Sequence, residues 1–559
     1  MTRTLPRCAR AFPTSTPRKR VTKDAMQLRC TLASATKPPA AHSRVHWCVA
    51  AQPSPRGGFR VNTTRHELLR SLLRFPKSLC VVSLATAAIA SAQAPSPIPI
   101  NDINLGEGQA YRAAISPDGQ FVAYAFSDGQ TPSTHTVRVR RADGSAPSRL
   151  AAQFTNPVTG LSRNHVFTWR QVGNQSRLLF VERAFSATRI WECDPNSPTP
   201  PPPNPLPSSL VVSNTQASDA LLSRNPVGND FLVTWENPYA DPTQLELEVI
   251  RPGASPLRTP LFMSTTGFVL PVDIDPSRSF GLFAQVPFGA TPTEQIWRIG
   301  LGSPMLHQVT TTSPLRRGLE AGFLGNPNEW FYSYTQTNFV PQVFALEREV
   351  AFSSLAQITN NAFDNCPQAY RQPAELLSPA PAASFLAVSH SNTASGTEPR
   401  EIRLAPPSKG GQVRVGVAGA GNSVFAPTMD GAETRVCWIE VLGGGVSRVW
   451  TDTINRELIV GVATTSTTAT ATIDARPLPS EVAIILVADG LAAPISQPPI
   501  AGTLELNSTR TTLSVGASTT SVTLPFNPTF IGVELFFQAV RLTSPTTGNI
   551  TRPAIARFW

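Results

Sequence analysis

The chain has 559 residues, 41% of them apolar and 15% charged, with 47 basic and 37 acidic side chains and a formal net charge of +10. The average hides a division: residues 1–95 hold 16 of the basic residues and only two acids, Asp24 and Glu67, so the remainder is slightly acidic. The basic total therefore gives no support to a nucleic-acid partner.

Residues 1–65 are basic, Pro-rich and without periodicity, and read as a disordered extension. The competing reading starts translation near Val61, on an alternative start codon. Residues 66–94 read as a secretory signal. Arg70, Arg74 and Lys77 form its positive region, residues 78–90 its apolar stretch, and Ala90-Ser91-Ala92 or Ala92-Gln93-Ala94 its small-residue cleavage site. That stretch is too short to span a bilayer, and no later run is long and apolar enough. The expectation is an exported chain (periplasm, cell surface or medium) with no transmembrane segment.

Residues 105–463 repeat. Apolar strands begin near Phe121, Leu178, Phe231, Phe280, Trp330, Ser384 and Arg435, at intervals of 49 to 57 residues. Each is followed by a second strand, as in Val137–Arg140, Gln295–Arg298 and Arg448–Thr451, and in places by a third, such as His307–Thr310. A period of that length with short strands indicates one sheet per repeat, which predicts a seven-bladed β-propeller with the segments at Phe121 and its equivalents innermost. The turn Pro117-Asp118-Gly119 suits a tight corner, since Pro presets φ, Asp bonds the backbone ahead and Gly accepts positive φ. Met429-Asp430-Gly431 repeats it, and Asp275-Pro276-Ser277 and Asn326-Pro327-Asn328 are looser versions. Ser116-Pro117-Asp118-Gly119 resembles the blade repeat of TolB, tricorn and dipeptidyl-peptidase propellers, a resemblance that implies fold rather than activity.

Residues 464–477, rich in Thr and Ala and ending at Pro477, read as a linker. Residues 478–559 form a new unit, with strands at Val482–Val487, Gly502–Leu506, Thr511–Val515, Ser521–Leu524 and Gly532–Leu542 and no helical period, which predicts a small antiparallel β-sandwich. The segment from Pro525 to Ala539 resembles the closing motif of a C-terminal β domain of exported planctomycete proteins, which implies an accessory module, for example for surface retention. The final segment Ile555-Ala556-Arg557-Phe558-Trp559 departs from that pattern.

No residue is assigned a catalytic, cofactor-binding or metal-binding role. Gly-x-Ser-x-Gly is missing after the signal, and no α/β catalytic domain fits in the residues left over. His135, His165, His307 and His390 lie far apart, and Asp273-x-Asp275 is better explained as a blade turn than as half a calcium loop. Glu182, Glu236, Glu294 and Glu440 could supply a glycosidase pair, but nothing separates them from structural residues. Trp191, Trp235, Trp297, Trp330, Trp438 and Trp450 recur at matching positions, which favours packing between blades over stacking on sugars. The run Pro198–Pro207 reads as a stiff exposed excursion. Three cysteines follow the leader, Cys193, Cys366 and Cys437, and burial of all three is expected, Cys366 and Cys437 being the pair near enough to meet. The resulting expectation is a monomeric, non-enzymatic binding or scaffold protein that holds a protein, peptide or glycan on a propeller face. Its rivals are a propeller enzyme (glycan hydrolase, lyase or lactonase) with a site at the axial mouth, and a surface or matrix component.

Overall fold

The computed structural model describes residues 97–557 with interruptions, the longest at 155–164, 310–320, 358–385 and 391–400. Residues 1–96, read above as a basic extension and a signal, and Cys366 lie outside the described residues. Among those residues the chain is all-β apart from two three-residue 3₁₀ turns, and no helix is long and apolar enough to cross a membrane.

Strands follow one another as antiparallel four-stranded meanders. Sheet one comprises Ala110–Ile115, Phe121–Ser127, His135–Arg141 and Arg149–Phe154. Sheet two comprises Phe167–Val172, Gln175–Ala184, Ala187–Cys193 and Ser208–Asn214. Sheet three comprises Asp219–Leu222, Phe231–Asn237, Gln244–Arg251 and Leu257–Ser264. Sheet four runs Gly267–Ile274, Phe280–Pro287, Gln295–Gly300 and Leu306–Gln308, and sheet five Ala321–Asn326, Glu329–Thr335, Pro341–Glu347 and Leu355–Gln357. Sheet six is described at Leu386–His390, Glu401–Ala405 and Gln412–Val417. In sheet seven, Ser423–Met429, Arg435–Val441 and Ser447–Thr453 are joined by Ile98–Pro99, which pairs with Ser447–Thr453 from some 350 residues earlier.

The sheets pack face to face in chain order. Phe121 and Val139 of sheet one meet Phe167, Trp169 and Leu178 of sheet two. Val181 and Ile190 of sheet two meet Ala220, Phe231 and Trp235 of sheet three. Similar cores join sheets three and four, four and five, and six and seven. Cys437, Ile439 and Val449 of sheet seven then pack on Ala113, Ile115 and Val122 of sheet one, returning the order to its start. The fold is a β-propeller. Covered on both faces, the inner strands read as nearly unbroken apolar runs, so six of the seven residues of Phe121–Ser127 are buried. At the rim, Ser208–Asn214 has one buried residue.

The segments starting at Phe121, Phe231, Phe280 and Arg435 are second in their sheets, not innermost. Strands such as Ala110–Ile115 precede them and line the hub, where contacts cross between sheets. Ile115 N donates to Thr428 Oγ1 (3.0 Å), Trp169 Nε1 to Ala114 O (2.9 Å), and Phe323 N to Asp273 Oδ2 (2.8 Å). The small residues and bulges of these first strands weaken the periodic signal that marks their longer apolar neighbours.

Past sheet seven, Ile459–Thr464, Thr468–Asp474 and Thr519–Pro525 form a three-stranded sheet, so the stretch read as a linker contains a strand. Its alternation of Thr and Ala buries Ala469, Ala471 and Ile473 against Ile485, Val487, Phe537 and Ala539 of the sheet built by Val482–Ala488, Glu534–Ser544 and their neighbours. That second sheet is continuous with sheet six: Ala554–Arg557 pairs with Gln412–Val417 on one side and Glu534–Ser544 on the other.

Candidate functional site

The first hairpin of several sheets closes with one repeated device. Just past the first strand a Ser or Asp side chain accepts an amide at the start of the next: Ser116 from Phe121 N (2.9 Å), Ser223 from Leu232 N (3.2 Å), Asp275 from Phe280 N (2.5 Å) and Asp430 from Arg435 N (2.7 Å). These oxygens replace the solvation the buried turn loses. Gly119 has φ of +70°, and a Cβ there would lie 2.8 Å from Asp430 Oδ2, so the turns of sheets one and seven abut. Asp273 accepts Ile274 N and Phe323 N, and Asp275 also caps Ser277 and Ser279, so both carboxylates serve the backbone. Among the described residues no three His, Cys, Asp or Glu side chains group as a metal site.

Two of the candidate glycosidase carboxylates are tied to indoles on the adjacent strand. Trp191 Nε1 donates to Glu182 Oε2 and Trp450 Nε1 to Glu440 Oε2, each at 2.7 Å. Register makes these equivalent: Glu182 faces Arg189 and Glu440 faces Arg448, with the tryptophan two residues on. Glu440 also accepts Gly419 N and Asn422 Nδ2. Sheet three inverts the arrangement, with Trp235 Nε1 donating to Glu248 (2.7 Å). Trp235 and Trp438 are buried between sheets, and Trp191, Trp297 and Trp450 border the same cores. The side chains of Glu294, Trp330 and His390 lie outside the described residues. His135 stacks on Phe154 with centroids 5.7 Å apart, and His165 Nδ1 meets Leu222 O at 2.8 Å, both buried, whereas His307 is exposed. Cys193 and Cys437 are buried free thiols, pushed up to about 12 by desolvation.

The remaining carboxylate, Glu236, belongs to a group that spacing did not reveal. It faces Asp219 across the first strand pair of sheet three, and Asp219 meets Arg183 of sheet two at 2.5 Å. Burial raises the Asp219 carboxyl above its ordinary range against the pull of Arg183. Glu236, half-buried, is raised by desolvation and then by the Asp219 charge. Two carboxyls with elevated proton affinity beside one guanidinium form a polar cluster where sheets two and three meet.

A denser charged cluster lies where the second unit joins sheet six. Arg403 is 1% exposed and pairs with Glu401 (2.7 Å) and Glu534 (2.9 Å), while bonding Gln412 at 3.2 Å. Arg414 pairs with Glu401 (3.3 Å) and with Glu505. Burial pushes Glu401 up, but Arg403 and Arg414 together outweigh it and hold the carboxyl below its usual range. Sequence alternation could have flagged this: Glu401-Ile402-Arg403-Leu404 buries both its apolar and its charged positions.

No protein-family model matches the sequence, and neither does any curated protein. Among solved structures the chain is similar to TolB from Acinetobacter baumannii, with 11% identity, 69% of this chain and 93% of that one covered, and a TM-score of 0.34. It is also similar to an oligogalacturonate lyase in complex with manganese (9%, 67% and 97%, TM-score 0.43) and to the propeller domain of the Trilobed protease from Pyrococcus furiosus (10%, 55% and 83%, TM-score 0.35). These neighbours include the propeller types that the Ser116–Gly119 turn resembles. The fold assignment rests on the sheets and cores described above.

Proposed function

We propose that this is an exported, non-enzymatic binding or scaffold protein, built on a seven-bladed ring, that presents a propeller face to a protein, peptide or glycan. The observation carrying this reading is the engagement of Glu182 and Glu440, both candidate acid or base groups, by indole N–H donors at 2.7 Å. A carboxylate held this way is fixed in place by a structural partner, which suits a scaffold. Loops at the strand ends, set on a rigid ring, supply the binding surface.

One observation favours a second reading. Asp219 and Glu236 face each other across a strand pair and both carboxyls are raised, by burial and, for Glu236, also by the Asp219 charge, which is the kind of carboxylate pairing a glycan hydrolase or lyase uses. Screening the full secreted chain on glycan and peptide arrays, with product analysis on every hit, separates the two. Binding without product, with affinity unchanged by Glu236→Gln, is expected. Product formation abolished by Glu236→Gln overturns the binding reading in favour of the enzyme.

A further inference from the structure

Each sheet of a propeller turns its last strand outward, and an uncovered strand edge is a row of unpaired N–H and C=O groups. In this ring most such edges are blunted. Leu206 N donates to Leu150 O at the rim of sheet one (2.8 Å), and Arg149 holds the carbonyls of Pro195 and Ser197 there. Sheet three carries Arg258 and Pro260 in its outer strand. Sheets four and five end in three-residue strands, and sheet seven in the two residues Ile98–Pro99.

Sheet six is covered differently, by strand addition. Ala554–Arg557 lies against its outer strand, with Ile555 opposite Gln412 and Ala554 opposite Val413. Of the added strand, Ala554, Ile555 and Ala556 are fully buried and uncharged, and Arg557 ends it opposite Glu534. Pairing occurs just before a bulge, where Arg403 faces Arg414 and Ile402 faces Gly416.

Sheet two has the same bulge. Trp191 faces Leu210 and Ile190 faces Val212, so Ser208, Ser209 and Leu210 stand where Gln412, Val413 and Arg414 stand in sheet six. Those three are the exposed residues of Ser208–Asn214, with Leu210 50% exposed. The strand is seven residues long, without charge or proline, and among the described residues no backbone hydrogen bond reaches its outer side. It is the edge that the usual protections omit, at the register where this molecule itself accepts a strand.

We propose that the outer edge of sheet two, centred on Ser208–Leu210, is a docking site for an extended, uncharged polypeptide segment that adds as a further strand. Main-chain hydrogen bonds would supply the affinity, and Leu210 would offer apolar contact to alternate side chains. A charged segment would bring an unpaired charge against Leu210 and the Ser pair. The proposal rests on the binding reading and narrows its ligand to polypeptide.

The test uses the full chain and a capped synthetic peptide copying residues 551–558, the sequence the protein adds to sheet six, with both charges removed by Arg552→Gln and Arg557→Gln. Peptide binding should slow amide exchange at Ser208–Leu210 roughly tenfold or more. Leu210→Lys, which places a charge on the edge as natural edge strands do, should weaken binding about tenfold while leaving the melting temperature unchanged. Unaltered exchange at Ser208–Leu210 with millimolar peptide, equal binding by Leu210→Lys, or protection confined to Gln412–Val417 would each overturn it. A glycan hit on the arrays with no change at Ser208–Leu210 removes strand addition and leaves the broader binding reading intact.

Discussion

Two kinds of junction hold this molecule together. Between sheets of the ring the contact is mainly apolar: Phe121, Trp169, Phe231 and Leu282 fill the wedges, with the Arg183–Asp219 pair between sheets two and three and a few polar bonds at the hub. Between sheet six and the second unit it is ionic, with Arg403, Arg414, Glu401, Glu505 and Glu534 packed beside a strand pairing. The contrast teaches what each junction must specify. Wedges in a ring are positioned by closure, so bulk and shape suffice. A unit joined along one strand edge can slip in register, and fixed charges penalise every register but one.

The largest effects should come from breaking one side of each junction. Trp169→Ala removes a fully buried indole and its bond to Ala114 O, and denaturant unfolding should show a loss of about 3–5 kcal/mol. Arg403→Met leaves buried Glu401 and half-buried Glu534 without their shared partner, and a loss of about 3–5 kcal/mol is expected at pH 7. Replacing Glu401, Arg403 and Glu534 together by apolar residues of similar volume should be far milder than Arg403→Met alone. If the triple variant is as unstable as the single one, the charges do more than set register.

Acid sharpens the comparison. Glu401 is held below its unfolded pKa, so its contribution is present above the ordinary carboxylate range and is lost as pH falls through the folded value. The stability gap between the native chain and Arg403→Met should therefore shrink between pH 7 and about pH 3, whereas the gap for Trp169→Ala should not. Asp430, raised chiefly by burial, acts in the opposite sense: its stabilisation is present at acid pH and lost as pH rises through the folded value. A smaller effect is expected at the turn between sheets one and seven. Gly119→Ala forces a Cβ into positive φ beside Asp430 and should cost about 1–2 kcal/mol by thermal unfolding.

The tryptophan–glutamate pairs show how far sequence reading reaches toward a site. Recurrence of Trp191 and Trp450 marked a structural role, and their equivalent register agrees with it. Their carboxylate partners were visible as residues but not as partners, because register and the β-bulges decide which side chains share a face. Asp219 and Glu236 sit 17 residues apart and meet only through the strand pairing, with Arg183 arriving from another sheet.

By itself the order of residues determined that this chain is all-β, that its apolar strands recur, and that a turn rich in Pro, Asp and Gly opens the second strand, because these are local properties of φ preference and side-chain alternation. Which strand lines the hub, how residues 98–99 come to complete sheet seven, and that the second unit grows out of sheet six were decided only in three dimensions. Those contacts span from about 140 to 350 residues, and hydrogen bonds between strands carry no local signature of their partner.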